Sequence, residues 1–429
     1  MDRPRAPGAA LDWRPMVATF RRWAELRTGP LLFLATTALY LVVGPLRPAD
    51  SFASLADAFL HGRLYVTVAL PTLEMVPTTG GLYSPFPPVP ALPMIPFVAV
   101  LGTGLVDTNW TSAIAGGLAT WLMWSVLFRL GLERPAARWM AAAFAFGSEL
   151  LYVGATGGQH HWPQVLALLL ALAAFRLAID GRWPVVAGVA LGLAAGSRVP
   201  AVLAAPLFVA IYAGRPGSLR PVARLADLRV MNRSGAARSL RFLAGLALPL
   251  VAVGWYNAAR FGSPLEFGYG LIVSQVDGRS VLSEPWYAQG IESLAYIPRN
   301  LYAMFFRSFD FVEQAPWLRP NWMGASILLT MPALAYLLRA RLRDPLVAWC
   351  LAAACLTLVP DILHGAVGFA QFGYRFILDA LPYLWVVLAL TMRERLMRSD
   401  RLARVALLAG VAVYAYGLAA IWGLGFVSY

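Results

Sequence analysis

"FPPVPALPMIPFVAVLGTGL", residues 86–105, is apolar enough to cross a bilayer, yet Pro87, Pro88, Pro90, Pro93 and Pro96 interrupt it. Each proline removes a backbone donor and crowds the turn before it, which fits poorly with a regular span. Whether this stretch crosses fixes the sidedness of everything after it. The chain of 429 residues is 59% hydrophobic and only 13% charged, with a mean hydropathy of +0.63. A soluble protein of this length rarely has that balance. Apolar runs long enough for membrane helices recur along its whole length, so the class is a polytopic all-α membrane protein.

All 35 basic residues are arginine and the net charge is +13. Exclusive use of arginine points to a GC-rich genome. The positive charge suits short cytoplasmic loops, and no basic patch interleaved with aromatics argues for nucleic acid. Cys350 and Cys355 lie in one apolar run, five apart, and are poorly placed to bridge. At the N-terminus six arginines between Arg3 and Arg27 precede a full-length apolar run, which predicts a retained first helix with no cleaved signal.

Spans are expected near 29–46, 110–129, 136–154, 163–180, 240–257, 322–340, 346–360, 376–392 and 403–425. The basic N-terminus and "FRLGLERPAAR" (128–138) both belong inside, so an odd number of crossings separates residues 47 and 128. Residues 86–105 therefore read as a re-entrant or surface segment on the outer side. The same logic splits 184–214 into two short helices at "AAGSRVP" (194–200), because the basic stretch 215–240 must be cytoplasmic. The expectation is one membrane domain over 1–429 with about eleven crossings, N-terminus inside and C-terminus outside. Its large outer segments are 47–109 and 258–321, with a shorter one at 361–375.

That topology gathers all four histidines and most loop acids on the outer face, where irregular polar loops build sites. In "PADSFASLADAFLHGRLYV" (48–66), an acid, Asp50, opens an amphipathic helix that bears Asp57 and His61 four apart on its polar side. Asp50 also suits an N-cap, and the Asp57–His61 pair suits a solvated face. His160 and His161, with Glu149 or Asp50, offer nitrogen and oxygen ligands for a divalent metal. Adjacent side chains diverge, however, and no His-x-His spacing exists. Arg198, at the hairpin tip, and Arg375 have no cytoplasmic reason to be basic; either can grip a lipid phosphate. The plainer alternatives are snorkelling for Arg198 and a pair with Asp379 for Arg375. Glu266 and Tyr269 lie in "FGSPLEFGY" (261–269), whose turn explains the glycine and proline equally well.

The order of these features resembles the GT-C superfamily of polyprenyl-phosphate-sugar-dependent glycosyltransferases, which includes the protein O-mannosyltransferases and lipid A aminoarabinose transferase. The likeness rests on a first span, an acid opening the outer loop, a surface helix and the proline-rich "YSPFPPVPALPMIPF" (83–97). It continues in "GLAAGSRVPAVLAAPLF" (192–208), "YNAARFGSPLEFGYG" (256–270) and "QFGYRFILDALPYL" (371–384). The resemblance implies a GT-C-like fold with outer-face amphipathic and re-entrant helices. It further implies that Asp50 is the catalytic base, and that Tyr83, Gln371 and Tyr374 join Asp57, His61, Arg198, Glu266, Tyr269 and Arg375 around the substrate. Members often show two adjacent acids where this chain has Ala49-Asp50-Ser51, and an acid near the third or fourth span where it has His160–His161.

The function so implied is inverting transfer of a sugar from a polyprenyl-phosphate donor to a lipid, glycan or protein acceptor. It would take place on the outer face of a bacterial inner membrane. The rival reading is a flippase for lipid-linked glycans without chemistry, which would place charge along the spans at mid-depth.

Overall fold

The computed structural model describes residues 27–45, 51–67, 74–214, 221–222, 232–274, 277–315, 317–398 and 400–426. Asp50, the expected base, lies outside the described residues. Among the described residues, five helices are long and apolar enough to cross a membrane: α4 (Thr108–Arg129), α7 (Trp162–Ile179), α10 (Arg233–Phe261), α13 (Pro345–Leu363), and α15 (Arg401–Leu418) with its continuation to Gly423. The first apolar helix, α1, covers Thr28–Val43.

The proline-rich segment is short and mixed. A 3₁₀ turn over Val89–Met94 runs into α3 (Ile95–Leu101). Those thirteen residues reach only about 22 Å, against roughly 30 Å of hydrocarbon. Two bonds tie the segment down: Trp162 Nε1 donates to Pro90 O at 2.9 Å, and Val89 N donates to Gly196 O at 3.2 Å. Helix α2 (Ser51–Leu60) lies on this segment. Most of its apolar face, expected at the bilayer surface, is covered by protein: Phe52, Leu55 and Ala56 are fully buried, while Leu60 stays exposed. The Phe52 ring sits 6.1 Å from Phe86, and the Phe59 ring 5.8 Å from Tyr256.

Residues 184–213 double back. Helix α8 (Pro184–Ala195) ends at Gly196, and a 3₁₀ turn (Val199–Ala204) leads into α9 (Ala205–Ala213). The hydroxyl of Tyr212 donates to Arg182 O at 3.1 Å, so the far end of α9 returns to the start of α8. Helix α8 packs against α10 through glycine: a Cβ on Gly188 would lie 2.1 Å from Phe242 O, and one on Gly245 2.1 Å from Val185 O. Small residues let two apolar helices approach this closely.

Two expected spans are broken. Residues 136–154 form α5 (Arg134–Phe146) and α6 (Glu149–Thr156). Gly147 ends the first, and Ser148 caps the second by accepting from Leu150 N. Residues 322–340 form a single turn, α12 (Ile327–Thr330), followed by a 3₁₀ stretch over Pro332–Arg339. Pro332 cannot donate to continue the helix, and Met331 leaves the helical region there.

On the loop side, β1 (Glu74–Thr78) pairs with β2 (Gly81–Tyr83) and with β3 (Val273–Ser274), all antiparallel. The register Glu74↔Ser274 and Met75↔Val273 joins two loops far apart in sequence. Helix α11 (Ile297–Phe305) and the hairpin of β4 (Asp310–Phe311) and β5 (Leu318–Arg319) complete the second loop. Helix α14 (Leu381–Met397) follows a 3₁₀ turn over Arg375–Asp379.

Candidate active site

A cavity of about 740 Å³ opens where these loops meet. Its walls come from β1 and Phe86–Pro87, from the Gln159–Pro163 turn, from the hairpin tip at Ser197–Pro200, from residues 265–292 and from residues 360–376. Among the described residues the lining holds three arginines (Arg198, Arg279, Arg375) and five acids (Glu74, Glu266, Glu284, Glu292, Asp361).

Arg198 is held by two carboxylates. Nη2 meets Asp379 Oδ2 at 2.5 Å and Asp361 Oδ1 at 2.8 Å, and Nε donates to Asp379 Oδ2 at 3.1 Å. Burial alone would lower the Arg198 pKa; Asp379 and Asp361 more than reverse this and hold the guanidinium charged. The cluster pins the hairpin tip to the end of α13 and the start of α14. The alternative pairing of Arg375 with Asp379 is therefore not formed: Asp379 turns to Arg198 instead. Asp361 was not among the residues singled out from the sequence, although an acid behind Pro360 at the end of an apolar run is the signal that flags one.

Arg375 is different. It is 7% exposed, and its Nη1 donates to the carbonyl of His160 at 3.3 Å. Among the described residues it has no carboxylate in ion-pair contact, and its Nε is buried without a hydrogen-bond partner. Burial, and then the like charge of Arg198, push its pKa down to about 10, which still leaves it charged at neutral pH. A buried cation with no carboxylate in direct contact is costly, and an anion entering the cavity would relieve that cost.

Glu74 projects from β1 into the cavity. Burial raises its pKa; Arg375 opposes the rise and Glu284 adds to it. His364 faces the same space, 3.2 Å from the Tyr287 hydroxyl, with its ring 6.1 Å from that of Tyr269. Burial and then Arg198 lower the His364 pKa to about 4, so the ring is neutral near pH 7. Burial raises the pKa of the Tyr269 phenol.

Of the residues singled out from the sequence, Arg198, Glu266, Tyr269, Arg375 and His160 line the cavity. Glu266 closes its own turn by accepting from Gly268 N at 2.6 Å. Asp57 and His61 are not brought there: they form a local group, 3.5 Å apart, with Arg63 at 3.3 Å from Asp57. The Tyr83 ring packs between Tyr65 and Phe261. Tyr374 is buried against Phe376. Gln371 is fully buried and clamps backbone. Glu74, Glu284, Asp361 and His364 are lining residues that sequence reasoning did not select, because only the tertiary fold brings them together.

The metal set of His160, His161 and Glu149 is not assembled, and no group of three potential ligands close enough for a metal exists among the described residues. Both His161 nitrogens lie 2.9 Å from carbonyl oxygens, those of Gly157 and Ala370. Glu149 is fully buried and accepts from Tyr414 Oη at 2.7 Å and Gly373 N at 3.0 Å.

No family model matches the chain, and no curated protein matches it by sequence. Among solved structures it is similar to the apo crystal structure of the Archaeoglobus fulgidus oligosaccharyltransferase. That match has a TM-score of 0.50 at 16% identity, over 94% of this chain and 55% of that one. A second is the archaeal oligosaccharyltransferase AglB of the same organism in complex with an inhibitory peptide and a dolichol-phosphate. Its TM-score is 0.44 at 15% identity, over 93% and 55%. At such identity the first match is a likeness of fold alone: the chain shares the membrane architecture of that oligosaccharyltransferase. It spans about half the length of the protein it matches.

Proposed function

We propose that the protein is an inverting glycosyltransferase that moves a sugar from a polyprenyl-phosphate donor to a hydroxyl or amine acceptor at the outer membrane face. The observation that carries the reading is Arg375: a buried guanidinium without an acid partner among the described residues, facing an acid-lined cavity in a GT-C-like fold. Asp50 takes the acceptor's proton as the acceptor oxygen or nitrogen bonds to the sugar's C1 from the face opposite the phosphate. The C1–O bond to phosphate breaks, and the lipid phosphate leaves with the electron pair. Arg375 offsets the charge that gathers on it. Arg198, neutralised by two acids, holds the wall and does not serve as a second phosphate clamp.

The direct test is release of lipid phosphate from a lipid-phosphate sugar by purified protein. Arg375→Ala is expected to raise the donor KM about 10- to 100-fold, the loss of one charge-assisted bond of roughly 1.5–3 kcal/mol. An unchanged donor KM rejects Arg375 as the phosphate ligand.

The same reading places the chain in a bacterial inner membrane with eleven crossings, N-terminus cytoplasmic and C-terminus outside. A reporter active only outside the cytoplasm is expected to be active when fused after residue 158 or 367 and silent after 134 or 230. Activity of the residue-134 fusion would make the proline-rich segment a true crossing.

A further inference from the structure

Three aromatic rings form a row on one rim of the cavity. Trp286 meets Phe369 at 4.9 Å between centroids, and Phe369 stacks on Trp322 at 4.8 Å with 20° between planes. Trp286 and Phe369 line the cavity, and Trp322 extends the row outward, 46% exposed. Phe369 is only half-buried, although the loop that carries it is tightly held. Ala370 has φ 53°, a left-handed conformation that side-chain-bearing residues rarely adopt. Its carbonyl lies 2.9 Å from His161 Nε2 and accepts from the Tyr152 hydroxyl at 3.3 Å. Gln371 Nε2 donates to Met323 O at 2.7 Å and to Val367 O at 3.1 Å. Buried polar groups thus fix a strained loop whose outward product is one half-buried ring between two tryptophans. Strain held this firmly is a mark of functional loops.

We propose that Trp286, Phe369 and Trp322 form a saccharide-binding shelf that stacks on the C–H face of a sugar ring other than the one transferred. The choice of ligand rests on the glycosyl-transfer reading. The ring faces left free by the Phe369–Trp322 stack attract the partly positive C–H face of a pyranose. Glu284 and Glu292, on the same cavity wall, are acceptors for the outward hydroxyls. The bound ring belongs either to an acceptor glycan or to the outer sugars of a donor oligosaccharide. Aromatics that merely anchor a protein at the interface face lipid; two of these three face the cavity.

The test uses the full chain in detergent and saturation-transfer NMR with tetrasaccharides of glucose, mannose, galactose and N-acetylglucosamine. At least one is expected to receive saturation on its ring C–H protons. Phe369→Ala and Trp286→Ala should each weaken its Kd roughly 3- to 10-fold, while Phe369→Tyr keeps it. No transfer to any of the four, or alanine variants that bind like the parent, overturns the shelf. In nanodiscs of tail-brominated lipid, emission lost in Trp322→Phe should be quenched far less than emission lost in Trp255→Phe, whose side chain is exposed on α10. Equal quenching makes the row a lipid anchor and overturns the proposal. In turnover assays Phe369→Ala should raise one KM: the acceptor's if the shelf holds acceptor, the donor's if it holds the donor's outer sugars. Tetrasaccharide binding needs no turnover, so a protein that binds through these rings yet releases no lipid phosphate sinks the glycosyltransferase reading and leaves the shelf standing.

Discussion

Replacing Asp50 by asparagine is expected to lower kcat roughly 10²- to 10⁴-fold, the usual contribution of a general base. Asparagine preserves size and caps a helix about as well as aspartate, but it cannot take a proton from the acceptor. If the carboxylate were only the cap of α2, its loss would cost about 1 kcal/mol of stability and leave turnover nearly intact. The measurement is kcat with a lipid-phosphate sugar on protein of normal expression and melting temperature. Turnover within about threefold of the parent would remove Asp50 from the chemistry, since a general base contributes far more. The base would then be sought at Glu74 or Glu266, two of the five acids that line the cavity. Asp57 is the weaker substitute, because it is tied to Arg63 away from the cavity.

Arg198→Ala is expected to act on stability before it acts on catalysis. Removing the guanidinium leaves Asp361 and Asp379 buried without their cation, a loss of about 3–5 kcal/mol for a broken buried pair. The melting temperature in detergent should fall sharply. Adding Asp379→Asn to Arg198→Ala should restore part of it, and the double-mutant cycle measures the coupling. An Arg198→Ala protein of normal melting temperature but raised donor KM would return Arg198 to the phosphate.

Hydropathy made α1, α4, α7, α10 and α13 legible, because a bilayer leaves a helix little choice of composition. The turn at Gly196–Arg198 was legible from glycine, arginine and proline together, and the weakness of residues 86–105 from their prolines. The breaks at Gly147 and Met331 carried local signals, Gly147-Ser148-Glu149 and Pro332, but each lies in a run long and apolar enough to read as one span. The contacts that hold the break are long-range: Glu149 finds its partners at Gly373 and Tyr414, more than two hundred residues on. Arg198 and Arg375 could be marked as arginines on the outer side. That one is in direct contact with two acids and the other, among the described residues, with none depends on where Asp361 and Asp379 fold. Short strands such as β3 carry no periodicity to read, so the pairing of β1 with β3 was invisible as well.

That pairing bears on how such a chain can diverge. A single residue inserted ahead of Glu74, if absorbed as a slip in the ladder, would swap the faces of the strand. The carboxyl would turn into the space that Met75 now fills, and methionine would face the cavity. An insertion just before Val273 would instead swap the faces of β3, exchanging Val273 with Ser274. Descendants of this sequence are therefore expected to change length freely at positions that leave both strands alone. Where they alter one strand's approach, a compensating change should appear in the other.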